Sequence, residues 1–212
     1  MGIAERKERE KQQRKEEIIN SAEKVFFNKG FDSATMEEVA LEAELSKATI
    51  YLYFESKEEL YFSIFLRGQK ILYSIIEKDL KKVKSTYDKI LTLLKSMVKY
   101  QEKYPDYFET FFYFLTNKLN IHENDCQSEK QDEVHQVFVN KLVEIVQQGK
   151  DEGLIREKVD PQNAIMILGT QLWGFLKIYS IMRPKIEKKF KITKSDFFKD
   201  YFDLAINGLT KK

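Results

Sequence analysis

From Lys47 to Tyr53 the chain places a lysine, a threonine and two tyrosines around a small Ala48, with no acid among seven successive residues. Ser46, just before them, is a good N-cap for a short helix. Such a helix fits the major groove of duplex DNA, where residues near its start meet base edges. Lysine, threonine and tyrosine donate to phosphate oxygens and fix the register on the duplex. At helical spacing Lys47, Ala48, Thr49, Tyr51, Leu52 and Tyr53 fall on or near the outer surface, and Leu45, Ile50 and Phe54 on the inner one. Residues 1–60 hold ten Lys/Arg against fourteen Asp/Glu, a net of −4, which is unfavourable for a polyanion-binding domain taken whole. Glu37, Glu38, Glu42 and Glu44 precede the run, so the local face and not the sum decides.

Enzyme chemistry finds no support. There is no His-Glu-x-x-His, no P-loop, no Gly-x-Gly-x-x-Gly and no Gly-x-Ser-x-Gly. A metal site built from His122, Asp125, Cys126 and His135 is the weakest reading, because the two histidines lie far apart in sequence and His122 sits in a polar stretch. No catalytic residue, metal or cofactor is expected.

The elements that must position the run are helices. Ile18, Ile19, Ala22, Val25 and Phe26 recur at helical spacing, and Gly30 supplies a left-handed stop. This predicts a helix over about 14–29 behind a charged tail, residues 1–13. Thr35-Met36-Glu37-Glu38 and Ser56-Lys57-Glu58-Glu59 are capping boxes; they open one helix at 36 and a long one over about 57–81. Between them, a turn at Glu44-Leu45 and a short helix over 47–53 complete helix-turn-helix arithmetic. Further helices are predicted at about 86–103, 105–118, 132–152, 161–183 and 194–209, with a polar loop over 120–131. Asp160-Pro161 reads as an N-cap with proline at the first helical position, and Arg183-Pro184 as the end of that helix. The fold class is all-α, with about nine helices. Eight glycines and three prolines in 212 residues are too few turn-formers for a β-sandwich, and 33% charged residues suit solvated helix faces. The net charge of +2 excludes nothing by itself, and the single cysteine excludes a disulfide framework.

The run Thr35-Met36-Glu37-Glu38-Val39-Ala40, then Leu45-Ser46-Lys47-Ala48-Thr49-Ile50-Tyr51-Leu52-Tyr53-Phe54-Glu55-Ser56-Lys57-Glu58-Glu59-Leu60, resembles the N-terminal domain of the TetR/AcrR family of transcriptional regulators. Ala22, Phe26, Phe27, Gly30 and Phe31 fit the same pattern. The resemblance is dense over about residues 14–62 and continues only as an architecture. It implies a three-helix helix-turn-helix DNA-binding domain over 14–60 and a divergent helical ligand-binding and dimerisation domain over 61–212. It implies that Thr35 and Thr49 contact phosphate and that Lys47 and Ala48 approach bases. Tyr51, Tyr53 and Lys57 would clamp the backbone, with Ser46 at the start of the reading helix. One departure stands out: the family's turn usually has glycine where this chain has Glu44, and a side chain in left-handed backbone costs about 1 kcal/mol. The basic residues Arg6, Lys7, Arg9 and Arg14 are candidates for a minor-groove arm.

The function implied is a ligand-responsive regulator, read as a repressor, whose homodimer binds a palindromic operator. The N-terminus carries no apolar signal segment, so the cytoplasm is the expected location. Residues 100–114 hold eight aromatics in fifteen and must be buried or line a cavity. Met97, Tyr107, Phe111, Phe114, Trp173 and Tyr179 are the candidate pocket for a hydrophobic or aromatic effector. Gly169 and Gly174 inside a helix suggest close approach of another helix or a ligand. The last two helices are expected to form the dimer interface, through Ile165, Ile167, Leu168, Leu172 and Leu176 on one and Phe197, Phe198, Phe202 and Leu209 on the other. The apolar stretch 164–182 is interrupted by Lys177, and no membrane partner is expected. The rival reading is a helical carrier or sensor of hydrophobic small molecules that does not bind DNA.

Overall fold

The computed structural model describes residues 2–117 and 126–211. The described residues form nine helices: α1 Ile3–Lys29, α2 Met36–Glu42, α3 Lys47–Tyr51, α4 Lys57–Leu80, α5 Thr86–Lys103, α6 Pro105–Asn117, α7 Cys126–Asp151, α8 Pro161–Lys189 and α9 Lys194–Asn207. Among them the only β pairing is an isolated antiparallel bridge between Ile155 and Thr210. His122 and Asp125 lie outside the described residues, as does the first half of the loop expected over 120–131; the second half, 126–131, is helix, so α7 starts at Cys126 and not at about 132.

The chain divides into two compact units, one of residues 1–70 and 104–125, the other of residues 71–103 and 126–212. The division therefore falls inside α4, later than the boundary read at residue 60, and α6 joins the first unit. Leu60, Tyr61 and Ile64 of α4 are buried with Ile18, Ala22 and Phe26 of α1, Val39 and Ala40 of α2 and Ile50 of α3. Tyr107, Tyr113 and Phe114 of α6 pack against that core. Tyr107 meets the Phe27 ring at 5.2 Å, Tyr113 meets Phe31 at 4.9 Å, and Phe114 stacks on Tyr61 at 5.3 Å. A polar network braces the same contact. Arg67 reaches Glu23 at 2.8 Å and Glu16 at 2.6 Å, and the Tyr107 hydroxyl donates to Glu23 at 2.6 Å. Burial, reinforced by the Glu23 carboxylate, pushes the Tyr107 hydroxyl up, which keeps it a donor.

α1 begins eleven residues before the expected 14. The charged tail is helical because its charges are paired at helical spacing, Arg6 with Glu10 at 2.8 Å and Arg14 with Glu17 at 2.7 Å. Two arginines of the expected arm are thus held by their own helix.

In the second unit, α7 and α8 pack together, and α5 packs against α7, α8 and α9. The inward stripe of α8 is Ala164, Leu168, Leu172, Leu176, Tyr179 and Ile186. It carries the helix through Pro184 to Lys189 rather than ending at 183. The turn after the proline is anchored by buried Ile186, by Arg183 on Glu187 at 2.9 Å, and by Tyr179 on Glu187 at 3.3 Å. Among the described residues α8 alone is long and apolar enough to cross a membrane, and only 17% of its most apolar window is buried.

The glycine that is closely approached is Gly149 of α7, where a Cβ would lie 2.7 Å from Ile155 Cδ1. Among the described residues, and apart from its own helix backbone, a Cβ on Gly169 or Gly174 would meet nothing within 4 Å. The crowding expected at those two positions is therefore not supplied from within the subunit.

Asp79 at the end of α4 accepts from Lys82 at 2.5 Å and Lys99 at 2.7 Å, with only 13% of its side chain exposed. The hydrogen bonds from Lys82 and Lys99 hold its carboxyl at about 2, below the ordinary 3.8. Its ion pairs therefore stabilise the fold above the ordinary carboxylate range and are lost as pH falls through about 2. Asp79→Asn is expected to lower the thermal midpoint at neutral pH, and the difference from wild type should narrow as pH falls from about 4 towards 2. A difference independent of pH would assign Asp79 no charge-dependent role.

Candidate nucleic-acid interface

Local capping builds the site. Thr35 starts α2 with a reciprocal pair: its hydroxyl accepts from Glu38 N at 3.3 Å, and its own N–H donates to Glu38 Oε2 at 3.0 Å. Ser46 starts α3, its Oγ accepting from Thr49 N at 3.0 Å and lying 2.8 Å from the Thr49 hydroxyl. Between the helices Leu45 N donates back to Ala40 O at 2.9 Å, and Glu44 sits in left-handed backbone with φ 55°. The departure from glycine is thus accommodated with strain and not by a different turn. Glu44→Gly is expected to raise stability by about 1 kcal/mol in thermal or urea unfolding. Loss of stability would mean that the Glu44 side chain makes a compensating contact.

Two residues fix which side of α3 faces out. Ile50 and Phe54 are 0% exposed, and the Lys15 ammonium lies 4.9 Å from the Phe54 ring. On the other side Lys47, Ala48, Tyr51 and Leu52 are exposed. Thr35 and Ser46 are exposed as well, while Thr49, Tyr53 and Lys57 are half-buried. All eight residues read as DNA contacts therefore lie in the first unit, but their freedom differs. Tyr53 packs against the unit's core. Lys57 donates to the Asp32 carbonyl at 3.4 Å and lies 4.3 Å from the Phe31 ring. Tyr113 of α6 donates to the Asp32 carboxylate at 2.8 Å, so α6 braces the same loop.

The acids of α2 are engaged. Lys24 of α1 pairs with Glu42 at 2.7 Å and Lys29 with Glu38 at 2.6 Å. Glu37 pairs with Lys47 of α3 itself. The hydrogen bond from Lys47 holds the Glu37 carboxyl below its ordinary range, and Glu37 raises the Lys47 ammonium in turn. The Lys47 ammonium also lies 5.8 Å from the Tyr51 ring. Ten residues separate Glu37 from Lys47 in sequence, and no local pattern announces that pair. Leu52, read as outward-facing but given no role, is the most exposed apolar side chain of α3 and its cap.

The six candidate effector residues do not fall in one unit. Tyr107, Phe111 and Phe114 belong to the first, where they pack on Phe27, Phe65 and Tyr61. Met97, Trp173 and Tyr179 belong to the second. There Trp173 meets Tyr100 edge-on at 6.3 Å, and Tyr179 meets Phe198 at 5.0 Å.

Residues 18–64 match the family model described as bacterial regulatory proteins, tetR family. The chain is similar to the uncharacterized HTH-type transcriptional regulator YfiR of Bacillus subtilis, 28% identical over 153 residues that cover 68% of each chain. It is also similar to the Fatty acid metabolism regulator protein of the same organism, 24% identical over 156 residues covering 73% of this chain and 77% of that one. Among solved structures, the transcriptional regulator FadR from Bacillus subtilis in complex with stearoyl-CoA superposes with a TM-score of 0.65 at 19% identity, over 91% of this chain and 97% of that one. At that identity the superposition establishes the shared fold.

Proposed function

We propose that the chain, whose residues 18–64 match the tetR family model, is a TetR-type transcriptional regulator, an effector-responsive repressor whose homodimer binds a two-fold symmetric operator. The observation that carries the DNA-reading part is the division of α3, with Ile50 and Phe54 wholly buried and Lys47, Ala48, Tyr51 and Leu52 turned outward. The same side chains that anchor α3 leave its opposite face to the duplex.

The test is selection from a random-sequence duplex pool followed by anisotropy titration. Wild-type protein is expected to enrich a two-fold symmetric sequence, with half-sites about one helical turn apart. Tyr51→Ala is expected to weaken binding to selected and random duplex alike, whereas Lys47→Ala also lowers the ratio between them. Equal losses on both duplexes for both variants would contradict the base-reading role of Lys47. Salt dependence should be moderate, because α3 contributes one cation. Enrichment of no duplex would leave the carrier reading in its place.

The dimer forms, in this reading, through α8 and α9, but only in part through the residues expected from the pattern: Ile167 is exposed and stays in the interface. Leu168, Leu172, Leu176, Phe198, Phe202 and Leu209 are buried in the subunit's own core. The outward face of α8 carries Met166, Ile167, Gly174, Ile178 and Ile181, and Leu204 is exposed on α9. Exposed apolar side chains along one helix suit an interface with a second copy, and glycines that no described residue of the subunit crowds suit its close approach.

The effector is a hydrophobic small molecule held in the second unit, with Met97, Trp173 and Tyr179 as candidate contacts. The relatives named for fatty acid metabolism and for a stearoyl-CoA complex support an apolar effector. Binding lowers operator affinity to the extent that the effector prefers the conformer that does not fit the duplex. Native mass spectrometry of purified protein is expected to reveal retained apolar ligand, and its release to raise operator affinity. A protein that reads chromosomal DNA works in the cytoplasm.

A further inference from the structure

Leu52 is 79% exposed, whereas Ile50 and Phe54 on either side of it are wholly buried. It follows exposed Ala48 by one helical turn, so the two share a face. That face also carries Lys47 and Tyr51 and has no acid. Leu41 is equally exposed on α2, but it shares its helix with Glu37, Glu38 and Glu42, an environment that repels a polyanion. The single ammonium on α3 is already engaged by Glu37. What α3 presents is therefore a small apolar surface within a weakly charged frame. The major-groove edge of a base pair offers hydrogen-bonding groups and one apolar group, the C5 methyl of thymine. Accepting the reading of α3 as the groove-facing helix, we propose that Leu52, with Ala48, reads thymine by packing against its C5 methyl, once in each operator half-site. Cytosine at that position lacks the methyl and is rejected.

Deoxyuridine isolates that methyl, because it keeps every hydrogen-bonding group of thymine. The probe is the duplex that wild-type protein enriches from a random pool, resynthesised with deoxyuridine at one thymine position of each half-site in turn. Wild type is expected to lose about 3- to 5-fold in affinity per methyl at one position in each half-site. Leu52→Ala is expected to bind the thymine and uridine forms of that position equally, and Leu52→Met to retain the preference. Thermal unfolding of Leu52→Ala should match wild type, since the side chain supports no core. Indifference of wild type to every uridine replacement overturns the inference, and so does an undiminished preference in Leu52→Ala. A change of solution mass in Leu52→Ala with the methyl preference intact would assign Leu52 to contact between copies and likewise overturn it. Enrichment of no duplex removes the proposed function itself and the inference with it, whereas the other failures leave the function standing.

Discussion

Ile178→Glu combined with Ile181→Glu is expected to leave the protein monomeric in solution and to weaken operator binding by two orders of magnitude or more. Both side chains are exposed in the subunit, at 55% and 65%, and they lie one turn apart on α8. Neither supports the subunit's own core, so thermal unfolding of the monomer should change by about 0.5 kcal/mol or less. In a dimer the same positions would be desolvated, and an unpaired carboxylate buried against a partner's apolar face costs several kcal/mol. Loss of the dimer separates the two reading heads. The second half-site then binds as an independent event, without the millimolar effective concentration that a linked head enjoys. Analytical ultracentrifugation and anisotropy on the selected duplex check the two halves of the expectation. Gly174→Leu offers an independent probe, because a Cβ there meets none of the described residues packed around it within 4 Å. It should fold and yet fail to dimerise. A doubly substituted protein that stays dimeric would move the interface off the outward face of α8.

Local chemistry made the helix-turn-helix readable. Thr35 and Ser46 announce α2 and α3 because a cap is a contact over three residues. The position of Glu44 was marked by the resemblance, which has glycine there, but its left-handed backbone appears only in the structure. What failed were inferences that depend on packing and not on a cap. Pro184 reads as a stop, but Ile186 and Glu187 beyond it find partners that hold one more turn of helix. Gly169 and Gly174 read as sites of close approach; no described residue of the subunit crowds them, whereas Gly149, which no pattern marked, is approached by Ile155 across a turn.

The candidate site divides in the same way. Which residues of α3 point outward follows from the helical period, once Ile50 and Phe54 are taken as its anchors. That Glu37 holds Lys47, or that Tyr113 braces the loop holding Lys57, depends on elements meeting across 10 and 81 residues. The aromatic run over 100–114 was read as buried or lining a cavity, with Tyr107, Phe111 and Phe114 as pocket candidates. Tyr107, Phe111, Tyr113 and Phe114 pack within the first unit, because Phe27, Phe31, Tyr61 and Phe65 present a matching aromatic surface there.

Phe54→Ala tests whether that first core is what holds α3 in place. Phe54 is 0% exposed, and it lies just after α3 and just before α4, so its ring pins both ends of the connection. Truncating a fully buried phenylalanine removes its transfer free energy and leaves a cavity, at a cost of about 3–5 kcal/mol. Set against a total of about 5–15 kcal/mol for a folded protein, that is a large fraction. With a urea dependence of about 1–3 kcal/mol per molar, the midpoint should fall by roughly 1–5 M. Circular dichroism follows helix throughout the chain, whereas Trp173, the single tryptophan, belongs to the second unit. The dichroism midpoint is therefore expected to fall further than the fluorescence midpoint. Phe54→Leu, which keeps most of the apolar volume, should cost about 1.5 kcal/mol or less and retain DNA binding. If Phe54→Ala unfolds at the wild-type urea concentration, the inward face of α3 is not what positions its outward one, and the reading of Lys47, Tyr51 and Leu52 as a preformed surface fails with it.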